Sequence, residues 1–228
     1  MTRLFLGRRG RGKTTLAYYS AAKIPRRLIF DPRGIIRRPG AVIARSTAVF
    51  EVAIDALADG YVAEVVYATP IESVKRVAFP AFTREAKRFV LEYPSLPIAI
   101  VVDELSFVCD RSHLDDDLEW LLKTGNPDLV HIFLTCHRPS DVPVDARAIA
   151  DYWYIFQTTQ EHDLDVIKAR CRIDTADRVM GLRDHDFLLW DDARGSAHEF
   201  RDPGEWYVRL VEGKAVEWPD LARASGDN

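Results

Sequence analysis

The run Gly7-Arg8-Arg9-Gly10-Arg11-Gly12-Lys13-Thr14-Thr15 sets glycines, a lysine and a hydroxyl at the spacing GxxxxGK(S/T), which is the spacing of a phosphate cradle. Glycines let the backbone curl so that successive N–H groups aim inward at phosphate oxygens, and a helix starting at the lysine adds the partial positive charge of its N-terminus. In such a cradle Gly7, Arg8, Arg9, Gly10, Arg11, Gly12, Lys13, Thr14 and Thr15 form the nucleotide-binding loop. Lys13 reaches the β- and γ-phosphates of ATP, and the Thr14 hydroxyl is a ligand for Mg²⁺. The alternative is a glycine- and arginine-rich surface turn that fits by chance. The flanks weaken it, because residues 2–6 read as a short buried strand and 13–23 as a helix. Arg8, Arg9 and Arg11 fill variable positions and are expected to point away from the phosphates.

A cradle needs a metal-holding carboxylate and a base before it can do chemistry, and Ile98-Ala99-Ile100-Val101-Val102-Asp103-Glu104 offers both. The apolar residues read as a strand buried on both faces, so the carboxylates fall at the ligand-facing edge of a parallel sheet. There Asp103 can hold the water shell of Mg²⁺, and Glu104 can polarise a water in line with the γ-phosphate. Alone, such a pair is as readily a solvent-facing strand end; together with a complete phosphate loop it reads as a hydrolytic site. The next apolar strand, 130–135, runs into Thr135-Cys136-His137-Arg138. Thr135 and His137 are the candidate sensors of the bound nucleotide, against a purely structural histidine. Asp115-Asp116-Asp117 looks like a metal cluster, but acids in a first helical turn suit the helix dipole, and no metal role is expected for them.

These groups must be carried by alternating strands and helices. Residues 26–32 read as a strand closing on an Asp-Pro turn, 33–40 as an irregular basic loop and 41–44 as a short apolar run. An amphipathic helix over 49–57, capped by Ser46-Thr47 and ended at Gly60, leads to a strand over 61–68. A weak helix over 71–79 is expected to stop at Pro80, and a second helical face follows over 82–93. Leu114, Leu118, Leu121 and Leu122 mark the helix after the Asp103 strand; a short helix over 144–150, a strand over 152–156 and helices over 161–170 and 175–180 come later. From 186 the pattern turns to short antiparallel strands, 187–190 and 197–200, then a hairpin of 207–210 with 215–218. The interval from Lys13 to Asp103 holds strand-helix units of its own, which places extra strands between the phosphate-loop strand and the Asp103 strand. The expected fold is an α/β P-loop NTPase of the additional-strand, RecA-like kind, with a mostly parallel central sheet flanked by helices. Its core spans 1–184, and a small antiparallel β-rich C-terminal extension of the same domain spans 185–228.

Composition is that of a soluble globular protein: 228 residues, 47% hydrophobic and 29% charged. No apolar run approaches the roughly 18 residues of a membrane span, and Leu4-Phe5-Leu6 is too short for a signal peptide, so a cytoplasmic location without membrane insertion is expected. Cys109, Cys136 and Cys171 are widely spaced and read as reduced, buried thiols rather than a zinc site or disulfide framework. The net charge of −4 excludes a basic nucleic-acid coat; contact with DNA or RNA would need a local basic surface.

Taken together, the motifs resemble the FtsK/HerA superfamily of ring-forming DNA-pumping ATPases, and within it the small genome-packaging ATPases of membrane-containing double-stranded DNA viruses. The resemblance is carried by the phosphate loop, by Leu28-Ile29-Phe30-Asp31-Pro32-Arg33-Gly34 against a family strand ending in Asp-Pro-Lys-Gly, by Val101-Val102-Asp103-Glu104, and by the run from Thr135 to Ser140 with Val142-Pro143 and Arg147. It covers residues 3–157. The family has Gln where His137 stands, and a basic Gly-Arg element where this chain has Lys123-Thr124-Gly125-Asn126. The resemblance implies ATP and Mg²⁺ as ligands, a hexameric ring of identical subunits, sequence-independent binding of double-stranded DNA, and a capsid or membrane-vertex protein as a further partner. It places the protein in the host cytoplasm and at a virion packaging vertex. It also implies an arginine finger from a neighbouring subunit, for which Arg147 and Arg138 are the candidates, with Arg111 behind them. Basic stretches at 33–38, at Lys75-Arg76 and over 84–88 are candidate DNA contacts. Two other readings stay open: a membrane-associated phage assembly or secretion ATPase resembling the zonula occludens toxin family, and a nucleotide kinase, for which no arginine-rich lid or acceptor pocket is evident.

Overall fold

Unbroken apolar runs become strands where both of their faces are covered, and the two richest, Ile98–Val102 and Val130–Cys136, lie at the centre of the sheet, the first buried throughout. The computed structural model describes residues 1–69 and 72–200. Its strands are β1 (Thr2–Leu6), β2 (Arg26–Asp31), β3 (Val42–Ala44), β4 (Glu64–Ala68), β5 (Ile98–Val102), β6 (Val130–Cys136), β7 (Tyr152–Phe156), β8 (Phe187–Asp191) and β9 (Ser196–Phe200). They form one nine-stranded sheet in the order β3-β4-β2-β5-β6-β1-β7-β8-β9. The pairings from β3 to β7 are parallel, and β8 and β9 continue the sheet antiparallel. Of the expected C-terminal strands, the first two are therefore an edge of the main sheet. The hairpin expected over 207–218 lies outside the described residues.

The helices are α1 (Lys13–Ala21), α2 (Thr47–Ala58), α3 (Glu72–Glu92), α4 (Asp116–Thr124), α5 (Val144–Ile149), α6 (Glu161–Arg170) and α7 (Ile173–Met180). Parallel crossovers are right-handed, so helices whose strands step in opposite directions along a sheet land on opposite faces. The β1-α1-β2 unit steps toward β3, whereas the units carrying α2, α3, α4 and α5 step toward β9. Accordingly Leu16, Ala17 and Ala21 of α1 pack with Phe5, Ile29 and Val101 on one face, and the buried residues of α2 to α7 pack with Leu4, Leu28, Phe30 and Ile100 on the other.

Two sequence expectations are corrected here. The strands between Lys13 and Asp103, β2 to β4, lie beyond β5; the strand between the phosphate-loop strand and the Asp103 strand is β6, which comes later in the chain. Chain order does not dictate spatial order when helical crossovers can span several strands. The two helices expected on either side of Pro80 are one helix, α3, with Pro80 inside it and exposed. Phe79, Phe82, Ala86 and Phe89 form a continuous buried face against Phe30 and its neighbours, and this burial outweighs the missing hydrogen bond. Elsewhere the local signals hold. The Ser46 side chain accepts from the Val49 N–H, and Asp115 caps α4 through Leu118 N, with Asp116 and Asp117 in the first turn. The three cysteines are buried and free. Among the described residues no helix is long and apolar enough to cross a membrane.

Candidate nucleotide site

Register brings the chemical groups to one edge. Leu6 pairs with Cys136 and Ile155, and Val102 with Leu134, so the residues after β1, β5 and β6 emerge side by side at the C-terminal ends of parallel strands. Gly7 leaves β1 with φ 134°, and a Cβ there would lie 2.8 Å from the Cβ of Phe156 on β7; only glycine passes this point. Gly12, with φ 93°, is the N-cap of α1, so the loop turns in the left-handed region just before Lys13 and leaves the first N–H groups of the helix directed into the cleft. The cleft measures about 230 Å³ and is lined by Arg9, Gly10, Gly12, Lys13, Thr14, Thr15, Arg33, Glu104 and His137.

Asp103 is fully buried and is the hub of the site. Its Oδ1 accepts from the hydroxyls of Thr14, at 2.9 Å, and Thr135, at 2.8 Å. Its Oδ2 receives Arg33 Nη2 at 2.9 Å. Thr135 also accepts the Glu104 N–H at 2.9 Å, so this hydroxyl is a strut between β5 and β6 rather than a free sensor. Glu104 itself takes φ 55°, unfavourable for a side chain with a Cβ, and the strain aims its carboxylate into the cleft. Burial, then the neighbouring Asp103 charge, push its pKa up to about 7, against the pull of Lys13, Arg33 and Arg9. Its Oε2 is buried without a hydrogen-bond partner.

His137 joins the two ends of this cluster. Lys13 Nζ lies 3.2 Å from its Nδ1, and its Nε2 lies 3.1 Å from Glu104 Oε1. An ammonium only donates, so Nδ1 must be the lone-pair nitrogen and Nε2 must carry the proton. The contact with Glu104 is therefore a hydrogen bond from a neutral imidazole, not an ion pair. The electrostatics agree: burial, then Lys13 and Arg33, hold the His137 pKa down at about 4. Lys13 also donates to the Arg8 carbonyl at 3.0 Å, and burial lowers its own pKa.

The residues fit a divalent cation carried in on phosphates. Among the described residues no three His, Cys, Asp or Glu side chains gather to hold a metal. A hydroxyl and one carboxylate, Thr14 and Asp103, already share a hydrogen bond and suit Mg²⁺, which keeps most of its shell as water and phosphate oxygen.

Not every expected residue is brought in. Arg9 lines the cleft and its charge bears on Glu104 and His137, contrary to the expectation that the loop arginines point away; Arg8 is exposed, and Arg11 pairs with Asp184. Arg138 is bonded to the buried carboxylate of Asp163, which also accepts the Ser140 N–H. Arg147 lies on α5 outside the cleft lining, its Nε without a partner, and burial and Arg111 lower its pKa. Arg111 is paired with Asp141. The residue missing from the sequence-level site is Arg33, placed there in a solvated or DNA-facing loop. The signal was in view, since a basic residue follows Asp-Pro in the motif shared with the family. Over 84–88 the basic residues of α3 are paired within the chain, Arg84 with Glu85, Lys87 with Asp117, and Arg88 with Asp55, Glu85 and Glu92, while the Lys75 and Arg76 side chains lie outside the described residues. Arg38 is likewise spent on Glu64.

No protein-family model matches the sequence. No curated protein matches it either. Among solved structures, the fold is similar to the genome packaging NTPase B204 from Sulfolobus turreted icosahedral virus 2 in complex with AMPPCP, with 18% identity, 90% of this chain and 98% of that chain covered, and a TM-score of 0.71. It is similar to VirB4 of Thermoanaerobacter pseudethanolicus at 11% identity, with 92% and 91% covered and a TM-score of 0.64. The N-terminal domain of zonular occludens toxin from Neisseria meningitidis aligns at 14% identity over 92% and 96% with a TM-score of 0.48. The chain thus shares the mixed α/β, mostly parallel fold of the B204 NTPase and of VirB4.

Proposed function

We propose that this chain is an Mg²⁺-dependent ATPase that moves double-stranded DNA, working as a ring of identical subunits to package a viral genome. The observation that carries the hydrolytic part is the cluster at one sheet edge: Thr14 bonded to Asp103, Glu104 beside it, and Lys13 within the same cleft. In this reading the N–H groups of the loop and Lys13 bind the phosphate chain of ATP. Thr14 and Asp103 would hold Mg²⁺, which would supply charge withdrawal from the phosphate oxygens. Glu104 Oε2, buried and unpartnered, accepts the proton of the attacking water, and a pKa near 7 suits a general base at neutral pH. His137 senses the γ-phosphate, because nucleotide that recruits Lys13 removes one of its two partners. Arg147 serves a neighbouring site as the finger, since Arg138 is held by Asp163.

The DNA-moving part is supported by the four sequence motifs and by the likeness of fold to a structure described as a viral genome packaging NTPase. ATP turnover measured with and without duplex DNA, at protein concentrations that allow assembly, tests both parts. Hydrolysis stimulated by DNA is expected. Absence of hydrolysis under either condition overturns the whole reading; hydrolysis indifferent to DNA overturns the DNA part.

A further inference from the structure

The loop after β2 is built around Asp31. Its Oδ1 accepts the N–H groups of Arg33 and Gly34, each at 3.0 Å, and its Oδ2 that of Ile36 at 2.7 Å. Asp31 is completely buried, so the backbone that carries Arg33 is anchored on the sheet. The side chain is tied only at its tip, by Nη2 on Asp103, while Nε is buried without a partner. The guanidinium is therefore a partly used donor fork on a rigid base, and Arg33 lines the phosphate cleft together with Lys13.

Asp103 meets Thr14 through one oxygen and Arg33 through the other. Any cation that takes up the Asp103 charge on the Thr14 side weakens the hold on Arg33, which lines the same cleft. A terminal phosphate bound between Lys13 and Glu104 is the anion within reach of that fork. Resting on the proposed ATPase reading, we propose that Arg33 is a γ-phosphate-binding arginine supplied in cis, held on Asp103 in the empty site and bonded to the terminal phosphate when ATP is present. Arginine suits this role better than lysine because its planar fork bonds two anions at once, Asp103 and a phosphate oxygen.

The test compares binding of AMPPCP and ADP, each with Mg²⁺, by calorimetric titration of the full chain, for the wild type, Arg33→Met and Arg33→Lys. Thermal unfolding of each variant establishes first that it folds. One charge-assisted hydrogen bond to the γ-phosphate corresponds to about a ten- to hundredfold preference. Arg33→Met is expected to lose that much of the preference for AMPPCP over ADP with ADP affinity little changed, and Arg33→Lys to keep part of it. A wild-type preference retained in Arg33→Met, with or without a lower melting temperature, overturns the proposal and leaves Arg33 as a mere counter-ion of Asp103. Failure of the wild type to bind either nucleotide overturns the phosphate-site reading itself, and the two failures are thus distinguishable.

Discussion

His137 accepts from Lys13 with one ring nitrogen and donates to Glu104 with the other, and a glutamine amide offers the same pair of functions through its oxygen and its nitrogen. The departure from the family's Gln is therefore chemically small. His137→Gln is expected to hydrolyse ATP close to the wild-type rate, whereas His137→Leu, which can do neither, should fall by about ten- to a hundredfold in a phosphate-release assay. Glu104 gives a prediction of opposite sign for stability and activity. Its folded-state pKa is raised from the ordinary 4.5 to about 7, so the folded state disfavours the charged form, and stability falls as pH rises between those values. Glu104→Gln removes that penalty. At pH 8 it should be more stable than wild type by about 1–3 kcal/mol while its turnover is lost, and at pH 4 the two melting curves should converge. Lys13→Ala should abolish turnover. Arg9→Ala should merely reduce it, since Arg9 touches the cleft only from its exposed side.

At the scale of elements, one glycine and one proline carry the clearest consequences. Gly7→Ala places a Cβ against the backbone and Cβ of Phe156 at a φ that L-residues rarely adopt. It should destabilise the fold by about 2 kcal/mol or more and loosen nucleotide binding, because the join between β1 and the cradle has to shift. Pro80 is exposed within α3 and lacks the N–H the helix would use. Pro80→Ala restores a hydrogen bond worth having in a helix interior, and the gain exceeds the extra freedom given to the unfolded chain. The urea midpoint should rise by the equivalent of about 1–2 kcal/mol with an unchanged m-value.

At the scale of the whole molecule, the proposed ring makes Arg147 and Lys13 work in different subunits' sites. Lys13→Ala and Arg147→Ala subunits, inactive alone, should regain turnover when mixed, up to about a quarter of wild type in a random ring, where half the intact sites meet an intact finger. A mixture no more active than its components excludes a finger role for Arg147. The same scale separates what could be read in advance from what could not. By itself, the sequence determined the glycine loop between the first strand and helix, the carboxylates of Asp103 and Glu104 at a strand end, the cap at Ser46, the acidic start of α4 and most strand and helix positions, because each depends on residues within a few positions of one another. Only the tertiary structure decided that β6 lies between β5 and β1, that Pro80 sits inside one helix, that Arg33 pairs with Asp103 and that His137 spans Lys13 and Glu104. It also decided that Arg84 and Arg88 of α3 meet carboxylates of α2 and α3, and Lys87 one of α4. These outcomes depend on which distant segments become neighbours in the sheet and which charges must find a partner once water is excluded, and no local pattern encodes either.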